Sequence, residues 1–293
     1  MGFFLKFMIA DKSAIVVNTV FDSPEKYAGC YVLVAGILYS IELYADFLSC
    51  VTISQGVAKL FGIDLVNNFM QPYFSTSTKE FWRRWHISFS EWLRDYVYIP
   101  LGGSRKGKIP QYSNLILTFA VSGVWHGSGY KYLFWGLLHA AYQIVGNVTF
   151  GVKEKIYDFL KLSKQSGTRK MLQRMGCFFW VMLAWIIFRA NNLKTGLQMI
   201  KSMFVIHNPW IFFNDELFSL GLEWKEWRVL LISIIILIYV SSRQESGLYL
   251  SEIILSRSIY VRWLLYVSII LSIMVFGTYG YGFDVHDFIY GGF

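Results

Sequence analysis

The sequence predicts an all-α polytopic membrane protein, and three observations carry that expectation. Of 293 residues, 55% are hydrophobic and 16% charged, against about 25% charged in a soluble domain. Phe, Tyr and Trp make up 19% of the chain, and its mean hydropathy is +0.43. Apolar stretches recur near 28–48, 114–126, 129–150, 176–190, 227–242 and 263–281, each a candidate span. So little polar surface cannot solvate one compact globule. Disorder, collagen, coiled coil and an ordinary cytosolic enzyme are excluded. Stretch 114–126 falls short of the roughly 20 residues of a straight span, so it is expected to be re-entrant or shielded by protein.

The first apolar run is interrupted by Lys6, Asp11 and Lys12, which argues against a cleavable signal peptide. The linkers then set orientation. Linker 103–111 holds Arg105, Lys106 and Lys108 with no acid, and 152–175 is dominated by bases from Lys153 to Arg174. Segment 207–226 is instead acidic, through Asp215, Glu216, Glu223 and Glu226. Segment 243–262 returns to basic with Arg243, Arg257 and Arg262, and the tail after 281 carries only Asp284 and Asp287. Positive linkers stay on the cytoplasmic side, so 103–111, 152–175 and 243–262 are placed there. The net charge of +8 is thus a topology signal, and no nucleic-acid partner is expected. The polar stretch 161–175 reads as a loop. No internal repeat or domain boundary stands out.

Residues 78–98 differ in kind. Ser77 followed by Glu80 forms a capping box, and Trp82, Trp85, Phe89, Trp92 and Tyr96 recur every three or four positions as one apolar stripe. Arg83, Arg84, Glu91, Arg94 and Asp95 fall opposite, and Pro100 with Gly102 and Gly103 ends the segment. This pattern predicts an amphipathic helix lying along the membrane interface, with His86 at the border of its stripe.

The residue most suggestive of chemistry is His126, at the end of an apolar stretch and flanked by Gly123, Gly127 and Gly129. Glycines allow close backbone approach, and an ionisable group at membrane depth marks a functional site by default. Burial favours the neutral imidazole, which suits a general base; a hydrogen-bonded core histidine is the competing reading. Glu42 and Asp46 share a helix face and suit the lining of a polar cavity or a structural hydrogen bond. His139 reads as a hydrogen-bonded packing residue, Arg94 and Asp95 as a paired or solvated face, and Lys131 and Arg189 as interface anchors. Nothing marks His207 or His286, and the sequon at Asn147 reads as accidental. Cys30, Cys50 and Cys177 have no pairing pattern and suit small apolar helix positions. No metal-ligand spacing, P-loop or dinucleotide fingerprint occurs.

FWRRWHISFSEWLRDYVYIPLGGSRKG at 81–107 and NLILTFAVSGVWHGSGYKYLFWGLLHA at 114–140 resemble the membrane-bound O-acyltransferase (MBOAT) family. Within that family the resemblance is to the bacterial branch that includes the alginate O-acetylase membrane subunit. FFLKFMIADKSAIVVNTVF, NNFMQPYF, WIIFRANNLKTGLQM and the ending YGYGFDVHDFIYGGF extend it from about residue 3 to 293. The resemblance implies one membrane domain over 1–293, a helical bundle around a central tunnel, lacking the N-terminal helices usual in the branch. It implies catalytic roles for His126 and His86, with Asp46, Glu42, Trp125, Trp85, Arg94 and Asp95 as tunnel candidates.

The implied activity is O-acyl transfer, acetyl first, from a cytoplasmic thioester to hydroxyls of an extracytoplasmic polysaccharide, in a multi-pass protein of the bacterial plasma membrane. The implied donor is acetyl-CoA or else an acyl carrier protein, with no bound cofactor or metal. Membrane lipid, the glycan acceptor and a separate extracytoplasmic transferase are the implied partners. Two alternatives are D-alanyl transfer to teichoic acid, and a truncated, inactive or non-enzymatic membrane subunit. Thr52 stands where the branch carries a second acid after Asp46, which alters the expected polar network.

Overall fold

The computed structural model describes residues 1–105 and 107–279. Lys106 and the tail with Asp284, His286 and Asp287 lie outside the described residues. In chain order the helices are α1 (Gly2–Phe4), α2 (Asp11–Asp22), α3 (Cys30–Leu60), α4 (Thr78–Arg84), α5 (Ile87–Leu93) and α6 (Lys108–Trp125). They continue as α7 (Tyr130–Val148), α8 (Phe150–Phe159), α9 (Gly167–Arg189), α10 (Leu193–Val205), α11 (Trp224–Glu245), α12 (Leu250–Leu255) and α13 (Ile259–Phe276). Each expected apolar stretch falls on a long helix. The only β pairing among the described residues is one isolated bridge, Phe69 with Trp85.

Three of these helices, α3, α9 and α13, are long and apolar enough to cross a membrane. No residue of α13 is buried, and in water its apolar residues would be left largely exposed; lipid is the solvent that fits it. The chain is an all-α membrane protein.

It packs as two compact units, one of residues 1–66 and 201–293 and the other of 67–200. In the first, α1, a π-helical turn over Leu5–Ala10 and α2 run on from one another and bury Leu5, Ile9, Val16, Val17 and Val20. The charges that break this apolar run are themselves held inside. Lys6 Nζ lies 2.8 Å from Asp46 and 3.0 Å from Asp11, and Lys12 lies 3.7 Å from Glu226. Buried charges persist when paired in this way. At the start of α3, Gly29 has φ +67° and sits so close to Asn208 that a Cβ would come within 2.4 Å of its Oδ1. Asn208 accepts there from the Cys30 N–H at 2.8 Å and donates to the Ala28 carbonyl at 3.1 Å.

The second unit is built on α6, α7 and α9. Glycine sets the α6–α7 approach: a Cβ at Gly136 would lie 2.1 Å from the Phe119 carbonyl oxygen, and one at Gly123 2.4 Å from that of Tyr132. The polar stretch 161–175 is not all loop. Helix α9 begins at Gly167, because Arg169, buried, pairs with Glu154 and lies over the Tyr157 ring at 4.4 Å. Arg174 further donates to the Phe74 carbonyl at 2.9 Å.

Candidate functional site

The segment expected as one helix over 78–98 is two helices and a π-turn (Arg94–Tyr98), broken at His86. Half of the expected capping box forms, with Ser77 Oγ accepting from the Glu80 N–H at 3.2 Å. The Glu80 carboxylate turns to Thr76, accepting from its N–H at 2.8 Å and its hydroxyl at 2.7 Å, and pairs with Arg84 at 2.6 Å. Seven residues on, Trp85 is extended and His86 adopts φ +45°, ψ +57°. This left-handed conformation costs a non-glycine residue roughly 1–2 kcal/mol, so the surroundings must hold it.

They do so from residues 68–70. The Asn68 carbonyl accepts from the Ile87 N–H at 3.0 Å, and Met70 N–H donates to the Arg84 carbonyl at 3.0 Å. The Asn68 side chain accepts from the N–H and hydroxyl of Ser88 at 3.1 and 2.6 Å, capping α5 from a distance because His86 supplies no cap itself.

The break divides the aromatic stripe. Trp82, Trp85 and Phe89 are buried, whereas Trp92 and Tyr96 are 49% and 69% exposed and lie against each other. The tryptophans expected at a membrane interface are therefore partly core: Trp85 packs on Phe69, Phe81 and Trp185. Trp82 reaches Trp135, Phe119 and His139. A straight helix keeps one face over five turns, but the reversal at His86 re-aims everything after it.

His126 is 5% exposed and follows the last residue of α6, where Gly127 with φ +150° turns the chain. Its ring stands edge-to-face with Trp125 at 4.9 Å, Trp135 at 5.0 Å and Phe188 at 5.2 Å, and lies 6.0 Å from Phe89. His86 lies 5.1 Å from Phe89 and 6.5 Å from Trp125. Phe89 and Trp125 approach each other to 4.4 Å. The two histidines thus share one aromatic pair, although 40 positions separate them in sequence. Burial pushes the His86 imidazole down to about 4, so it is neutral near pH 7.

The remaining candidates divide. Trp125 and Trp85 belong to this aromatic construction. Arg94 and Asp95 pair with each other at 2.7 Å on an exposed face. Glu42 and Asp46 are buried on α3 in the other unit. His139 is fully buried, and its Nδ1 accepts from the Trp82 indole at 3.2 Å, which is the packing role expected of it. Sequence reasoning passed over Trp135 and Phe188, which stand against His126, and Trp185, which stands against His139. Trp135 and His139 stand four apart and share a helix face, so an indole aimed at the same interior was available as a signal.

Helices long and apolar enough to cross a membrane, with a buried histidine beside a second one in an aromatic wall, define a membrane protein with a protein-enclosed imidazole site. Residues 4–156 match the model of MBOAT, the membrane-bound O-acyltransferase family, and the chain belongs to that family. It is 38% identical over 69% of its length to the probable alginate O-acetylase AlgI of Pseudomonas syringae pv. tomato, covering 37% of that protein. It is 36% identical to the peptidoglycan O-acetyltransferase of Helicobacter pylori, with 69% and 37% covered. It is 35% identical to the teichoic acid D-alanyltransferase of Bacillus subtilis over 47% of its length and 37% of that protein. The chain spans little more than a third of these relatives.

Proposed function

We propose that this protein takes part in O-acyl transfer as a multi-pass protein of the bacterial plasma membrane, moving an acetyl group from a cytoplasmic thioester toward hydroxyls of an extracytoplasmic polysaccharide. The observation that carries the reading is the enclosure of His126 by Trp125, Trp135 and Phe188, with His86 across the shared Phe89–Trp125 pair. A neutral imidazole in a dry aromatic wall accepts the proton of an incoming hydroxyl as the oxygen attacks the thioester carbonyl. The C–O bond forms, the C–S bond breaks, and the proton passes to the departing thiolate. The wall excludes water that would otherwise hydrolyse the thioester.

Acetyl-CoA is the proposed donor, with an acyl carrier protein second, and a separate extracytoplasmic transferase completes delivery to the glycan. Family membership and the two O-acetyltransferase relatives support acetyl transfer; the D-alanyltransferase relative supports D-alanyl transfer as the second reading. The test is ester content on surface polysaccharide in cells lacking other acyltransferases, comparing the native chain with His126→Ala at equal protein level. Esters with the native chain and none with the variant are expected, and retained esters remove His126 from the chemistry. Released acetate or D-alanine separates the two readings.

A further inference from the structure

Helix α8 is amphipathic in the sense opposite to that of a helix on a water-soluble surface. Its polar side is the one held by protein: Glu154 pairs with the buried Arg169, whose guanidinium lies 4.4 Å from the centre of the Tyr157 ring. The helix ends at Lys161, which has φ +55°. The Lys161 N–H donates to the Asp158 carbonyl at 3.0 Å and the Leu162 N–H to that of Tyr157 at 2.9 Å. This doubly bonded left-handed cap turns the chain back toward α9, which carries Arg169.

The apolar side is left uncovered. Val152, Ile156 and Phe159 recur at spacings of four and three, which puts them on one face, and they are 60%, 51% and 85% exposed. At 3.6 residues per turn, Lys153 and Lys155 flank this stripe, one on each side, while Asp158 falls away from it. Both lysines are exposed, as is Lys161 at the turn, and none of the three forms an ion pair among the described residues. The apolar surface also runs on from α7: Val145 and Val148 in its last turn are exposed, and only Thr149 separates α7 from α8.

We infer that α8 lies in the headgroup layer of the membrane and binds anionic phospholipid, with Val152, Ile156 and Phe159 at the acyl boundary and Lys153, Lys155 and Lys161 on lipid phosphates. A basic helix with an aliphatic and aromatic face takes that position. The lysine stems lie along the apolar layer while their ammonium groups reach the phosphates, to which they donate charge-assisted hydrogen bonds. The pair with Arg169 withdraws the Glu154 carboxylate from the side that meets those phosphates. The excess of base over acid in 152–175 places the helix on the cytoplasmic side, where anionic lipid attracts juxtamembrane lysines. An acidic protein would answer the lysines alone, whereas lipid answers both the lysines and the apolar surface continuous with α7.

The test is the association of spin-labelled phosphatidylglycerol with the full chain in phosphatidylcholine vesicles, referred to spin-labelled phosphatidylcholine, which needs no turnover. The native chain should select phosphatidylglycerol by about twofold or more. Lys153→Gln/Lys155→Gln should remove about half of that excess or more, while Lys153→Arg/Lys155→Arg keeps it and Lys225→Gln, in the acidic segment 207–226, leaves it unchanged. Equal association of the two lipids, or selectivity unaltered in Lys153→Gln/Lys155→Gln, overturns the assignment. A bimane label on Phe159→Cys, in a chain carrying Cys30→Ala, Cys50→Ala and Cys177→Ala, reads the stripe itself. Quenching by lipids brominated close to the glycerol backbone is expected; water-exposed emission overturns the lipid assignment and leaves the face to a protein partner. None of these readouts involves His126, so this surface and the acyl-transfer reading fail separately.

Discussion

The indole N–H of Trp82 donates to Nδ1 of His139 at 3.2 Å, joining the second turn of α4 to the middle of α7. An indole nitrogen only donates, so Nδ1 of His139 is the acceptor and its proton sits on Nε2. The pair holds α4 against α7, and through Trp135 it backs the wall behind His126.

Trp82→Phe should therefore destabilise the protein by roughly 1–3 kcal/mol from the stranded acceptor alone, with the lost ring volume added. Thermal unfolding in detergent measures it. A loss under 0.5 kcal/mol would show that the hydrogen bond has no structural weight.

Two glycines of α7 should respond in opposite directions. At Gly136 a methyl group meets the Phe119 carbonyl oxygen at 2.1 Å, and backbone cannot step aside, so Gly136→Ala should cost about 1–3 kcal/mol or more. At Gly146 nothing lies within 4 Å, and Gly146→Ala should gain about 0.5–1 kcal/mol from helix propensity. Equal melting temperatures for the two variants would contradict the close α6–α7 contact.

His86 makes a pH prediction. Its imidazole titrates near 4 when folded, because of burial, and near 6.5 when unfolded. Between those values the unfolded chain holds the extra proton, so the native state loses stability as pH falls from 6.5 to 4 and is indifferent to this group above 6.5. His86→Asn keeps a residue type tolerant of left-handed backbone and removes that titration. The native-minus-variant difference in melting temperature should shrink on acidification, and a constant difference would refute it. His86→Val should be less stable than His86→Asn at every pH.

Lys6→Met should cost about 3–5 kcal/mol, because the buried Asp46 side chain loses the Lys6 ammonium at 2.8 Å. Adding Asp46→Asn should return part of the loss, with Asp11 still facing the gap at the former Lys6 position. An additive double-variant cycle in the same unfolding assay would show that the two side chains do not interact.

By itself the sequence determined where the apolar helices lie, the Ser77 cap, the glycine-flanked His126 and the family motif. Hydropathy, capping and backbone freedom act within a few residues and are legible there. Tertiary structure decided the rest. It broke 78–98 at His86, since Asn68 and Met70 supply the partners that hold a left-handed residue. It extended α9 back to Gly167 through the Glu154–Arg169 pair, against a local composition that reads as loop. It joined Lys6 to Asp46 and Trp82 to His139 across 40 and 57 positions. Such contacts arise from how helices pack, and no local periodicity records which aromatic faces which histidine. His126 was visible as a residue, but its wall of Trp125, Trp135 and Phe188 exists only where α6, α7 and α9 meet.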